Sequence, residues 1–401
     1  MPETTLTNAS HSSSITANLV RVDARRIFSA ELHWQGGIIV SIAELGAEDA
    51  DLPYLIPGFI DAHVHIESSM LTPCEFARLA VRHGTVATVS DPHEIANVLG
   101  VAGVEYMLNN ASQTPFKFFF GAPSCVPATP FESAGACLAE KQLDALFRVD
   151  GIRYLSEVMN YPGVLNGDPE ILAKLALAKR YGYPIDGHAP GLNGDDARRY
   201  AAAGIGTDHE CSTLPEAEAK LAAGMHILIR EGSAARNFSA LHTLIGRYPD
   251  RVMLCSDDKH PDDLQAGHID RLAAKAISLG HDVFDVLQCA CVNPIRHYGL
   301  PLGQLRVGDS MDAVLIGDLQ NLKVIKTWIG GQLLAEQGLS LLPSIKPEII
   351  NRFEARKLQP DDITIRYPGG NIKVIQALDG ELLTRQLIVK PKVSAGGSVP
   401  D

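Results

Sequence analysis

Between residues 55 and 293 one pattern repeats along the chain. A short apolar run is followed each time by a longer stretch whose apolar positions recur at helical spacing. The apolar runs centre on 58–65, 85–91, 116–121, 151–157, 184–188, 204–209, 225–230 and 252–257. Eight units of about 25 to 35 residues are the number and size of a (β/α)8 barrel. The flanks read differently. Residues 14–43 alternate apolar and polar positions, as in Thr16-Ala17-Asn18-Leu19-Val20-Arg21-Val22, which predicts short antiparallel strands. Strand-like character returns at 303–316 and 322–334. Chain ends of a domain lie close together, so the two flanks can fold as one unit. The expected architecture is α/β: a TIM-like barrel over 56–300, with a small β-sandwich domain assembled from 1–55 and 301–345. Residues 346–401 carry brief strand-like runs at 363–367, 372–376 and 387–389, then a loop-like stretch at 394–401; they read as a linker and the start of a further domain.

Composition narrows the class. A chain of 401 residues with 46% hydrophobic content has ample material for one large core and a smaller companion. Residues 1–17 are polar and rich in Ser and Thr, without the apolar centre of a signal peptide, and no apolar stretch reaches membrane-spanning length. A cytoplasmic protein is expected. The seven cysteines, Cys74, Cys125, Cys137, Cys211, Cys255, Cys289 and Cys291, never fall in a Cys-x-x-Cys spacing and read as reduced core residues. A net charge of −12 without a basic cluster argues against nucleic acid and membrane partners and for a small-molecule substrate. An incomplete β-segment over 363–389 would leave an unpaired edge, which favours a homo-oligomer.

Candidate chemistry sits at the tips of the apolar runs, where barrel enzymes place their active sites. The first run ends Asp61-Ala62-His63-Val64-His65, and strand alternation puts both imidazoles on one face. Later tips carry Asp91, His93 and Glu94, then Glu157, His188, His209, and Asp257 with Asp258. Six of these, His63, His65, Glu157, His188, His209 and Asp257, exceed what one ion with an open position needs, and predict a binuclear centre with a bridging carboxylate. Each also has an ordinary reading. Glu157 could pair with a basic residue, His188 and His209 could be helix-capping core histidines, and Asp257 or Asp258 could cap the next helix. An acid inside an apolar strand is costly to bury without compensating charge, which a metal pair supplies. Ser124 and Cys125 after the third run, with Arg230, Glu231 and Ser233 after the seventh, are weaker pocket candidates. His65-Ile66-Glu67 with Pro73-Cys74 imitates the zinc cytidine deaminase signature, but Ala77 stands where its second Cys belongs.

The run Pro57-Gly58-Phe59-Ile60-Asp61-Ala62-His63-Val64-His65 with the later His, His and Asp resembles the amidohydrolase superfamily. Within it, Asp91-Pro92-His93-Glu94-Ile95, Asp186-Gly187-His188-Ala189-Pro190, Thr207-Asp208-His209-Glu210 and Ser256-Asp257-Asp258-Lys259-His260-Pro261 are similar to the bacterial adenine deaminase group. The resemblance implies a metal-bearing barrel with a split β-sandwich, and hydrolysis of adenine to hypoxanthine and ammonia in purine salvage. It implies iron(II) or manganese(II), with zinc also compatible with the donor set, and a bridging role for Glu157 where many relatives carry a carboxylated lysine. Asp257 is then expected as ligand and proton shuttle, with Glu157 beside it in catalysis. Asp258, His93, Glu94, Ser124 and Ser233 are expected on the substrate side. Members of this group continue into a C-terminal αβ domain, so one alternative is a form that needs that domain for activity. Another is hydrolysis of a cyclic amide or N-acyl group on the same scaffold.

Overall fold

The computed structural model describes residues 12–129, 131–363, 367, 369–379, 384–394 and 397–399. It opens with three antiparallel strands, β1 (Ser12–Arg21), β2 (Arg26–Gln35) and β3 (Ile38–Ala47), followed by β4 (Tyr54–Pro57). The barrel strands are β5 (Phe59–His65), β6 (Thr85–Ser90), β7 (Lys117–Ala122), β8 (Ile152–Val158), β9 (Ile185–Gly187), β10 (Thr207–Asp208), β11 (His226–Arg230) and β12 (Val252–Cys255), the last continued by β13 (Asp257–Asp258). After the barrel come β14 (Ala313–Ile316), β15 (Val324–Ile329), β16 (Gln332–Glu336) and β17 (Leu339–Ser340).

Neighbouring barrel strands are parallel from β5 through β9 and from β10 through β12. The Gly206 amide joins the two groups by donating to the Ile185 carbonyl at 2.8 Å. Closure comes from the eighth strand: β12 pairs with β11, and two residues later β13 pairs with β5. This is the TIM-like barrel read from the eight apolar runs. Its strands are buried on both faces, which is why they lack the alternation of the flanks. Helices close the outside with ordinary signals. In Pro169–Tyr181, the Asp168 carboxylate accepts from the Glu170 amide at 2.8 Å, and Gly182 ends the helix at φ 71°.

The flanks meet in one eight-stranded sheet of order β17-β16-β15-β14-β4-β1-β2-β3. β4, which leads directly into β5, lies between β1 from one flank and β14 from the other. Leu19, Leu32, Trp34 and Leu55 share a core with Met311, Leu315 and Trp328. The Trp34 and Trp328 rings meet edge to face at 6.2 Å, and Trp34 Nε1 donates to the Gly331 carbonyl at 3.2 Å. Gly331 must be glycine twice over, since its φ is +75° and a Cβ there would lie 2.7 Å from the Trp34 ring.

Several expectations need correction. Of the stretch 303–316 only Ala313–Ile316 is strand. Asp309 and Asp312 draw the Gln304 and Gly303 amides to their side chains at 2.8 and 3.0 Å, so those amides do not join a sheet ladder. The tail read as a loop contains a tight pairing of Lys392–Ser394 with Gly397–Val399. Ile372–Gln376 pairs with Arg385–Val389, whereas 364–366 of the expected run at 363–367 lie outside the described residues. Neither Asp257 nor Asp258 caps the next helix, Pro261–Ala266, whose N-cap is His260. Cys137 is exposed; the other six cysteines are buried, and all seven are free.

Candidate metal centre

The six expected histidine and carboxylate tips converge at the C-terminal rim of the barrel. His63 and His65, two apart on β5, present Nε2 atoms 3.1 Å from each other, as strand alternation requires. The Asp257 Oδ1 atom stands 3.2 Å from His65 Nε2 and 3.5 Å from His63 Nε2. Asp257 reaches them because its backbone is left-handed, with φ 57°. That conformation is unfavourable for most side chains and interrupts the eighth strand at the point where its carboxylate must turn inward.

On the opposite side, His188 Nδ1 donates to Glu157 Oε2 at 2.8 Å, and His209 Nε2 lies 2.9 Å from the same oxygen. The other oxygen, Oε1, faces His65 Nε2 at 3.7 Å and His93 Nδ1 at 3.5 Å. Oε2 also lies 3.9 Å from His63 Nε2, so Glu157 turns one oxygen to His65 and His93 and the other to His188, His209 and His63. His209 also stacks on His63, with ring centroids 4.0 Å apart. Gly187 lets β9 approach β10 closely, because a Cβ there would sit 2.3 Å from the Thr207 carbonyl oxygen.

Electrostatics follow from six carboxylates, Asp91, Glu94, Glu157, Glu210, Asp257 and Asp258, gathered around these imidazoles. Burial works against ionised Glu157, but the charges and hydrogen bonds of His188 and His209 hold its carboxyl well below the usual range. Burial likewise opposes ionised Asp257, which hydrogen bonds from His63 and His65 keep well below it. His188 is pushed up to about 9, its burial outweighed by Glu157. His93 is pushed up to about 10, where Asp91 and Glu94 outweigh burial. Both oxygens of Asp91 and one of Glu94 are buried without a hydrogen-bond partner among the described residues. Excess buried negative charge, orphaned oxygens and facing imidazole nitrogens fit divalent cations with mixed His and carboxylate ligation.

The remaining expected site residues are placed as follows. Asp258 accepts from the Ser68 hydroxyl and falls in one cluster with His65 and Glu94. Glu94 Oε1 is 3.3 Å from His65 Nδ1. Ser124 is buried and gives its hydroxyl to the Glu157 carbonyl at 2.6 Å, which supports β8 from behind. Ser233 donates to Asp263 at 2.5 Å and accepts from the His260 amide, so its hydroxyl is occupied within the loops. Cys125 takes a contact from Ser124, and Glu231 pairs with Lys275. Cys74, from the imitation zinc signature, is bonded to Asn110.

Two residues matter more than their sequence signals. Arg230 was a weak pocket candidate, yet it is buried and joins Glu210 to Asp257, whose Oδ2 it holds at 2.5 Å. Glu210 went unassigned, although it directly follows His209; its Oε1 lies 3.5 Å from His188 Nδ1 and 3.4 Å from His209 Nε2. A charged residue adjoining an expected ligand was the available clue.

Residues 54–334 match the amidohydrolase family model. The chain is 52% identical over 388 residues to an adenine deaminase from Salinibacter ruber, covering 97% of this chain and 71% of that protein. It is 50% identical over 392 residues to an adenine deaminase from Methanosarcina barkeri, covering 95% of this chain and 71% of the relative. Among solved structures, a β-aspartyl dipeptidase from Fervidobacterium islandicum superposes with a TM-score of 0.62 at 15% identity, over 84% of this chain and all of that one, a likeness of fold. Family members are metal-dependent, in keeping with the cluster at the barrel rim. The chain belongs to the amidohydrolase family, and within it to the adenine deaminases.

Proposed function

We propose that this chain hydrolyses adenine to hypoxanthine and ammonia, at a pair of divalent cations held by His63, His65, Glu157, His188, His209 and Asp257. The observation that carries this reading is the division of Glu157 between two groups of histidines, which gives each group a share of one carboxylate. Glu210 adds a further oxygen beside His188 and His209. When bound, such ions polarise the reacting centre and bring the pKa of water near neutrality. Iron(II) and manganese(II) are the metals we favour.

The reaction forms a C6–O bond and breaks the bond from C6 to the exocyclic nitrogen. A base must take a proton from water and return it to ring N1, and an acid must protonate the departing amine and be recharged by the proton of the new C6 hydroxyl as the carbonyl forms. Asp257 is held ionised, and Arg230 occupies its Oδ2, so Oδ1 is the atom available to receive that proton. Against burial, Asp91 and Glu94 raise the pKa of the His93 imidazole, which lies beside Glu157 and would serve as the acid on the substrate side. Glu94 and Asp258 offer acceptors for purine N–H groups, with Asp258 oriented by Ser68. Ser124 and Ser233 act through the groups they hold. We place the reaction in the cytoplasm, in a homo-oligomer, with no nucleic acid or membrane partner; among the described residues no helix is long and apolar enough to cross a membrane. We also assign the eight-stranded sheet and the barrel to separate domains.

Ammonia release from adenine by metal-stripped protein reloaded with Mn2+ under reducing conditions tests this reading. Turnover is expected with adenine and not with dihydropyrimidines or N-acetyl sugars, and is expected to vanish in Glu157→Gln. Two bound metals without turnover of adenine would overturn the substrate assignment.

A further inference from the structure

Behind the His188 and His209 side of the centre lies a buried cation that the chemistry above does not use. Lys220, on the helix Leu214–Ala222, has no exposed surface. Its Nζ donates to the Ala189 carbonyl at 2.6 Å and to Glu216 Oε1 at 3.1 Å, and lies 3.2 Å from Asp208 Oδ2. The two carboxylates in turn collect backbone amides. Asp208 accepts from Ala189 at 2.9 Å and Glu210 at 2.8 Å; Glu216 accepts from Gly191 at 2.7 Å and Ser212 at 3.2 Å. These partners bracket the histidines. Ala189 follows His188, and Asp208 and Glu210 lie on either side of His209.

A buried ion network is a poor source of net stability, because desolvation offsets its attraction. It does impose one geometry, since each amide must meet its own oxygen and each oxygen must stay near the ammonium. Here that geometry ties the loop after β9 to the end of β10 and its loop, with the ammonium spanning the Ala189 carbonyl and Asp208 beside the Ala189 amide that Asp208 also holds. The other side of the centre has separate support. Asp61, two residues before His63, accepts from the Ser256 amide at 2.9 Å and from the Ser256 hydroxyl, and His268 Nε2 lies 2.8 Å from it.

We propose that Lys220 is the positioning residue of the His188 and His209 subsite. It fixes the two loops at the separation where both imidazoles and Glu210 converge, and a divalent cation is held there tightly only while that link is intact. This inference rests on the two-ion reading above. Loss of the link should weaken one metal position and spare the one built on His63, His65 and Asp257, because Asp61 supports that side independently.

The test is titration of the metal-stripped chain with Mn2+, followed by calorimetry and electron paramagnetic resonance. The wild-type chain is expected to bind two equivalents and give the signal of an exchange-coupled pair. Lys220→Met is expected to keep one equivalent near wild-type affinity and to weaken the second by about 10- to 100-fold, the usual effect of removing a group that orients ligands. At one equivalent it should give an isolated Mn2+ signal. Because Lys220→Met strands two buried carboxylates, the double variant Lys220→Met/Asp208→Asn is measured beside it, with circular dichroism reporting the fold. The same selective loss is expected there, since the Ala189 tether is still missing. Two unchanged equivalents in a folded variant, equal weakening of both, or collapse of both variants would overturn the role of Lys220. Fewer than two equivalents in the wild-type chain would instead overturn the two-ion reading.

Discussion

The two sides of the metal centre carry similar ligands but are held by different physics. His63, His65 and Asp257 sit on adjacent paired strands, and the support behind them is one carboxylate, Asp61, satisfied by a serine and a histidine. Thr85 completes that chain at 2.7 Å from His268 Nδ1. His188 and His209 follow very short strands, and their support is a full ion network around Lys220. Where the seven-residue strand β5 already fixes both histidines, hydrogen bonds to one acid complete the job. Where the strand is only two or three residues long, charge and backbone capture replace it. The difference predicts unequal sensitivity to mutation and to acid.

The largest expected effects fall where the two sides meet. Glu157→Gln should cut kcat/KM for adenine by at least about 10³-fold, and Asp257→Asn by about 10² to 10⁴-fold, the range for loss of a proton-transfer group; steady-state ammonia assays measure both. Lys220→Met should lower unfolding free energy by about 3 to 5 kcal/mol, the cost of stranding a buried partner charge, read from urea melts. His268→Leu, on the other side, should cost about 1 to 3 kcal/mol, because a hydrogen bond to buried Asp61 is lost while no cation is removed. Equal losses in these two variants would erase the distinction between the supports.

Acid separates the sides further. Burial holds the His268 imidazole below its ordinary value despite Asp61, so the folded chain keeps it neutral where the unfolded chain protonates it. Its contribution is therefore complete above the unfolded pKa of about 6.5 and is lost as pH falls toward the lower folded value. Burial opposes charge on Lys220 too, but Asp208 raises it, and Asp208 itself is held below its ordinary value mainly by Lys220 against burial. That network keeps its charges across the same interval. The stability difference between wild type and His268→Leu should accordingly shrink between pH 7 and 5, read from urea melts at the two pH values. The smallest effect serves as a control. Trp34→Phe removes one hydrogen bond in the flanking sheet and should cost about 0.5 to 1.5 kcal/mol without altering Mn2+ stoichiometry.

The barrel was legible because strands buried on both sides must be apolar throughout, and eight such runs at regular spacing have few alternative folds. The ligand set was legible because charged residues at the ends of apolar strands stand out against them. What joins those ligands was hidden. Asp61 meets Ser256 across 195 positions and His268 across 207, and no local periodicity records either contact. Lys220 reads as an ordinary polar position in an amphipathic helix, and only the fold reveals that it points inward at full burial. Arg230 ends an apolar strand just as the ligands do, but its partner Glu210 lies on the neighbouring strand's loop, so its place between Glu210 and Asp257 required coordinates.

The left-handed backbone at Asp257 has a bearing on how this protein can decay over generations. Such a conformation admits glycine, asparagine and aspartate far more readily than other residues. Single-nucleotide changes to an aspartate codon include both asparagine and glycine. The substitutions the backbone tolerates best at this position are thus also within easy genetic reach, and each discards the ionised carboxylate while leaving the turn intact. A lineage released from selection on deamination would therefore be expected to leave behind folded, silent descendants, recognisable by an asparagine or glycine at this one turn.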